Sequence, residues 1–332
     1  NTLGAVREQD GEMAAARDAY RQAVDLAPGL AAAQLNLGTA ELCLGNFPAG
    51  WRGYAYRPRQ AGVPDPLACA GRGATPGALA GRSVLLYAEQ GLGDTLQFAR
   101  YAPLLVAAGA RVGLLVQPAL KSLLAASLPT VGVFSPEDAL PAADEHWPLL
   151  SLPLVFSTTL ASIPPPVPYL PPRAVAARWA RRLPPASAGT PRIGVAWSGN
   201  PRHENDRRRS IALALFSSLV SGYGGTLFCL QTETRPADRA QMAMLPNLVD
   251  LAPDIGDFAD TAAIVGNLDL VIAVDTSIAH LAAAMGKPVW LLLPFVPDWR
   301  WLLNRDDSPW YPGMRLFRQS SPGDWAGVLR RA

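Results

Sequence analysis

The sequence predicts an α/β chain: two open parallel sheets covered by helices and facing each other across a cleft, preceded by a short all-α repeat segment. Three observations carry this. Residues 1–60 repeat themselves at a fixed spacing; apolar runs alternate with helical patterns from Ser83 onward; and a proline-dense passage at 163–172 interrupts that alternation before it restarts. The boundaries that follow are 1–60 for the repeats, 61–80 for a linker, and 81–172 and 173–332 for two Rossmann-like halves.

Composition permits such a chain. At 332 residues, 49% hydrophobic and 17% charged, it has enough apolar surface for several cores. A net charge of +2 argues against a nucleic-acid binder held by phosphate contacts. No apolar run approaches the ~20 residues that span a bilayer, so no integral membrane segment is expected. Asn1 opens directly into a helical pattern, so no leader is expected either. Cys43, Cys69 and Cys229 are odd in number and widely spaced. They read as reduced thiols of a cytoplasmic protein, not as a disulfide framework or metal site.

The repeat comes first in the chain. Leu3-Gly4 recurs as Leu37-Gly38, Gly11 as Gly45 and Tyr20 as Tyr54, each 34 residues apart. Small residues let two antiparallel helices approach, the aromatic fills the gap between them, and Pro28 ends the second helix. With Ala16 and Ala23, this resembles the tetratricopeptide family, whose repeats bind proteins. The second copy fades after Tyr54, where Arg57 and Gly62 replace the expected Ala and Pro. About one and a half repeats do not make a stable solenoid, so further repeats are expected upstream. In this chain the helices either bind a partner or cap the next domain. The Gly-, Pro- and Ala-rich stretch 57–80 has no periodicity and reads as a linker or wrapping arm.

The strands follow. "SVLLYA", "RVGLLVQ" and "HWPLL" belong to the first half, with "EQGLGDTLQFARYAPLLVAAG" turning through glycines into one amphipathic helix. After "IPPPVPYLPP" and a short helix around Trp179, the strands "RIGVAWSG", "TLFCLQ", "NLVDLA", "LDLVIAV" and "PVWLLLP" make the second half. Continuous apolar strands separated by helices imply parallel sheets buried on both faces. Ligands in such folds bind beyond the carboxyl ends of the strands.

Three turns at such ends carry chemistry. In "GLGD", Asp94 starts a helix; it is either a helix cap or a carboxylate placed to take a proton from an attacking hydroxyl. In "WSGNPRHENDRRRS", a strand ends in Ser198-Gly-Asn200, and Arg207, Arg208 and Arg209 follow; they are either a solvated loop or a clamp for a diphosphate. In "VIAVDTSIAHLAAAMGKPVWLLLP", a strand ends at Asp275. Thr276 and Ser277 begin a helix running to about Met285, His280 shares the Thr276 face one turn on, and Gly286 ends it. The free N–H groups, hydroxyls and dipole of that helix start make a corner suited to phosphate. The tryptophans and tyrosine of Pro294–Gln319 either wall a base or sugar pocket or pack under the C-terminal helix "GDWAGVLRRA".

Taken in order, "GLGD", "WSGN" and "VDTSIAHLAAAMGKP" resemble the heptosyltransferase-like, family 9 glycosyltransferases of the GT-B fold. The repeats, "EQGLGDTLQFARY", "NDRRRS" and "PDWRWLL" are similar to a bacterial subgroup that couples tetratricopeptide repeats to this domain, and more distantly to the O-GlcNAc transferases. The resemblance covers essentially the whole chain. It implies that Gly93, Ser198, Asn200, one of Arg207–Arg209, Asp275, Thr276, Ser277 and Lys287 hold a nucleotide-sugar. Asp94 and His280 then serve catalysis, and Glu233 meets the ribose hydroxyls. "TETRPAD" departs from the subgroup's Gly-rich turn at that last point, and Ala88 stands where the pattern has Gly.

The expected reaction is an inverting, metal-independent sugar transfer to a hydroxyl of a protein or glycan. Fixed N–H groups, an Arg and His280 would stabilise charge on the leaving phosphate. No Asp-x-Asp triplet is present, so no metal is expected, and no cofactor beyond the nucleotide-sugar co-substrate. The alternative is an inactive scaffold of the same fold behind protein-binding repeats.

Overall fold

The computed structural model describes residues 1–69, 71, 79–164, 167–171, 176–184 and 189–332. Part of the expected linker and part of the proline-dense passage lie outside the described residues. The chain divides into two compact units. The first comprises Asn1–Lys121, Leu128–Pro165 and Val296–Arg305; the second comprises Ser122–Ser127, Pro166–Phe295 and Asp306–Ala332. No helix among the described residues is long and apolar enough to cross a membrane.

The first unit opens with helices α1 (Thr2–Gln9), α2 (Met13–Leu26), α3 (Ala31–Cys43) and α4 (Phe47–Tyr54), each packed on the next. The glycines spaced 34 apart have distinct tasks. Gly11 and Gly45 turn the chain between helices at φ +81° and +84°, where L side chains are strained. A Cβ on Gly4 would stand 2.4 Å from the Tyr20 ring, and one on Gly38 would stand 2.6 Å from the Gly53 backbone. Helices α3 and α4 therefore touch backbone to backbone. Where the repeat pattern lapses, the reason is packing. Arg57 is buried, donates to both carboxylate oxygens of Glu89 at 2.5 and 3.0 Å, and reaches Ser151 Oγ at 2.8 Å. An alanine there would leave Glu89 without its counter-charge.

The first sheet contains β1 (Ser83–Tyr87), β2 (Arg111–Leu115), β3 (Gly132–Phe134) and β4 (Glu145–Pro148), all parallel in the order β3-β2-β1-β4. β1 is interior, and Val84, Leu85 and Leu86 are fully buried, as an unbroken apolar run requires. The single helix expected after β1 is instead broken. It runs Leu92–Phe98, tightens to a 3-10 turn at Ala99–Tyr101, and resumes at Ala102–Ala107. Pro103 opens the last piece, where its missing N–H is harmless.

The second sheet contains β5 (Ile193–Ala196), β6 (Leu227–Cys229), β7 (Leu248–Asp250), β8 (Leu270–Val274), β9 (Val289–Leu293) and β10 (Met314–Arg318). Its parallel order is β10-β9-β8-β5-β6-β7. One face is filled by Val195, Trp197, Phe216, Val220, Phe317 and Val328, the last from the C-terminal helix Trp325–Arg331. The chain leaves β5 in one direction through β6 and β7, then returns to its other side at β8. In open parallel sheets such a reversal, here between β5 and β8, is where ligands bind.

Candidate functional site

In the second unit the predicted residues gather at this reversal. β5 runs out into Trp197-Ser198-Gly199, and β8 into Asp275-Thr276. A short helix, Asp206–Arg209, is built on buried Asp206, which accepts from Ser210 Oγ at 2.7 Å and from Arg235 at 2.5 Å. Ser210 Oγ in turn accepts the Gly199 N–H at 3.0 Å, folding the loop back on the strand end. Of the three arginines, Arg207 and Arg208 are exposed, whereas Arg209 is turned inward. Its guanidinium donates to the Asp275 carbonyl at 2.9 Å and lies over Gly199, where a Cβ would come within 2.7 Å of it. Gly199 is thus the residue that lets Arg209 reach the corner.

The helix Ser277–Ala284 starts at the same corner, capped by Thr276 in extended geometry without a side-chain cap bond. Thr276 Oγ1 is buried and has no hydrogen-bond partner among the described residues. A hydroxyl so placed offers both a donor and an acceptor to whatever enters. His280 is buried on the next turn, with Nδ1 at 3.0 Å from Tyr311 Oη and Nε2 at 3.9 Å from Asp275 Oδ1. A half-buried guanidinium, a buried hydroxyl and a helix start together suit an anion.

Four predicted residues are exposed or bonded to other groups. Ser198 Oγ accepts from Gln231 Nε2 at 2.9 Å, while Gln231 Oε1 holds the Trp197 and Ser198 amides, so Ser198 ties β5 to the end of β6. Asn200 is exposed and caps a turn by accepting the Arg202 N–H. Glu233 is exposed in the turn after β6. Lys287 precedes β9, at the amino ends of the strands, and binds the carbonyls of Gly266 and Leu268 at 2.8 and 2.7 Å. It secures the end of the helix Phe258–Gly266, where unpaired carbonyls attract a cation. Burial lowers its pKa, with Asp269 acting in the opposite direction.

In the first unit, Gly93 and Asp94 stand in the first turn of Leu92–Phe98, after β1. Asp94 is the third residue of the helix, and its Oδ2 accepts the Gly91 N–H at 2.8 Å. That is a capping bond, one of the two roles the sequence left open. The other oxygen accepts from Arg300, which also bonds Gln97 Oε1 at 2.7 Å and Asp298 at 2.9 Å. Arg300 is buried and stacks on Trp299 at 4.3 Å. Burial disfavours its charge, but Asp298 and Asp94 outweigh that and keep it protonated well above its ordinary range. The carboxylate is thereby held in one orientation, by the Gly91 amide on one oxygen and Arg300 on the other. The aromatics of Pro294–Gln319 are interior: Trp299 packs on Trp51, Tyr54 and Phe98, and Tyr311 packs on His280.

Residues 221–292 match the family model "Glycosyltransferase family 9 (heptosyltransferase)". Over that stretch the chain is similar to the family 9 glycosyltransferases. The matched stretch contains Asp275, Thr276, Ser277 and His280. Among solved structures, the chain is similar to the ADP-heptose LPS heptosyltransferase II of E. coli, at 14% identity and TM-score 0.53 over 75% of this chain and 96% of that one. It is also similar to a family 9 glycosyl transferase from Veillonella parvula, at 10% identity and TM-score 0.47 over 78% and 93%. The first of these likenesses shows the fold. Protein FlbA of Caulobacter vibrioides is 27% identical over 335 residues, spanning 91% of this chain and 54% of that protein. The chain thus spans about half the length of the curated relative it matches. Sequence reasoning passed over Gly199 and Tyr311 in the second unit and Arg300 in the first. "PDWRWLL" was the signal for Arg300, a lone Arg between two tryptophans.

Proposed function

We propose that the chain moves a sugar from a nucleotide-diphosphate donor to a hydroxyl of a protein or glycan, in the cytoplasm, without a metal and with inversion. The donor half is 173–332 and the acceptor half 81–172. The diphosphate sits on the Thr276 hydroxyl, the Ser277 end of its helix and Arg209, with His280 Nε2 alongside. Asp94 takes the acceptor's proton as that oxygen bonds the anomeric carbon, and the carbon–oxygen bond to the β-phosphate breaks. The charge released onto the phosphate falls where Arg209 and the helix start offset it. The observation that carries this reading is the inward Arg209 beside the buried, unpartnered Thr276 hydroxyl. Helices α1–α4 are read as tetratricopeptide repeats that present a protein partner. A second reading, an inactive scaffold, is favoured by one fact: Arg300 already occupies Asp94.

Release of nucleoside diphosphate from a panel of ADP-, UDP-, GDP- and dTDP-sugars, with Asp94→Asn alongside, separates the two. Turnover by the wild type that drops at least 100-fold in the variant supports transfer. Nucleotide binding without any turnover supports the scaffold.

A further inference from the structure

Each oxygen of the Asp94 carboxylate is reached from one residue of the front helices. On the first path, the Tyr54 hydroxyl donates to Gln90 Oε1 at 3.2 Å. Gln90 has φ +60°, a region most side chains avoid, so something must hold it there. The Gln90–Gly91 peptide plane aims the Gly91 N–H, and that N–H bonds Asp94 Oδ2 at 2.8 Å. On the second path, the Tyr54 ring meets the Trp299 ring edge to face at 5.7 Å, and Arg300, the next residue, stacks on Trp299 and bonds Asp94 Oδ1. All of these residues lie in the first compact unit. Burial raises the Tyr54 phenol above its ordinary value, so it remains a donor, even though Arg300 pulls the other way.

We infer that Tyr54 is a positioning residue for Asp94, acting through Gln90 on one oxygen and through Trp299 and Arg300 on the other. The inference rests on the reading of Asp94 as the base. The helical segment thereby becomes part of the wall that builds this site. A partner that shifts α4 re-aims Asp94, which couples what the repeats bind to the rate of the reaction.

The test uses Tyr54→Phe, Tyr54→Phe with Gln90→Gly, and the wild type. Glycine adopts the positive φ without help, so the second change removes the need for the Tyr54 bond. Hydrogen–deuterium exchange of peptides covering 88–98 should quicken in Tyr54→Phe, stay unchanged around 193–197 and 270–275, and return toward wild type in the double variant. With whichever donor of the sugar-nucleotide panel is turned over, kcat should fall about five-fold in Tyr54→Phe, the scale of one neutral hydrogen bond. Donor KM should not change, and Gln90→Gly should restore kcat. Unchanged exchange at 88–98, or a loss that Gln90→Gly does not repair, overturns the inference. A wild type that turns over no donor counts against the transferase reading instead, and the exchange result then decides the coupling by itself.

Discussion

Arg57→Met tests whether the front helices are welded to the first sheet. The Arg57 and Glu89 side chains are 2% and 1% exposed, so neither charge has recourse to water. The substitution deletes two bonds to Glu89, one to Ser151 and one to the Tyr54 carbonyl, and leaves the Leu150 N–H as a remaining donor to Glu89. Removing one partner of a buried pair costs about 3–5 kcal/mol, because the other charge stays buried. For a unit of this size that is a fall of roughly 6–20 °C in the first melting transition. Replacing both residues, Arg57→Met with Glu89→Met, removes the stranded charge and should recover most of the loss. The assay is thermal and urea unfolding followed by tryptophan fluorescence, since Trp51 and Trp299 lie in this unit. A single variant within about 1 kcal/mol of wild type refutes the reasoning, because that is what an exposed pair would give.

Lys287→Met should lower the stability of the second unit by about 1–3 kcal/mol, by orphaning the Gly266 and Leu268 carbonyls, while leaving nucleotide affinity unchanged; calorimetry with both readouts checks it. Asp138 is held down to about 2 by its bond from Lys121, then by the Ser135 amide and hydroxyl. A depressed carboxylate stabilises the fold above its ordinary value near 3.8 and loses that contribution as pH falls toward 2. In Lys121→Met the NMR titration midpoint of Asp138 should therefore rise, and acid unfolding should begin at higher pH.

Much of the fold was legible because its causes are local. Apolar runs such as "SVLLY" and "LVIAV", bounded by turn residues, read as buried strands, and Gly11 and Gly45 mark two places where the chain turns left-handed between helices. Two strands escaped. β3 is three residues long, and β10, "MRLFR", is masked by two arginines and a nearby proline. The strand-end positions of Asp94 in the first unit and of Asp275 and Thr276 in the second were readable from the apolar runs before them. Which arginine turns inward was not, because that depends on Gly199 lying 10 residues earlier and leaving room for Arg209. Arg300 was harder still. Its partner Asp94 is 206 residues away, and spacing along the chain says nothing about so long a closure. The protein contacts of Ser198 and Lys287 were hidden for the opposite reason: both sit in motif-like stretches, and only the fold brings Gln231 and two backbone carbonyls to them.

The central claim is that the β5–β8 corner holds a nucleoside diphosphate. Isothermal titration of the chain with ADP, UDP, GDP and dTDP tests it most directly, with Arg209→Ala and Arg207→Ala as the paired variants. The account predicts that one nucleotide binds, that Arg209→Ala weakens it roughly 10- to 100-fold through the loss of charge-assisted bonds, and that Arg207→Ala changes it less than about three-fold. No binding by any of the four, or equal losses in both variants, would contradict it.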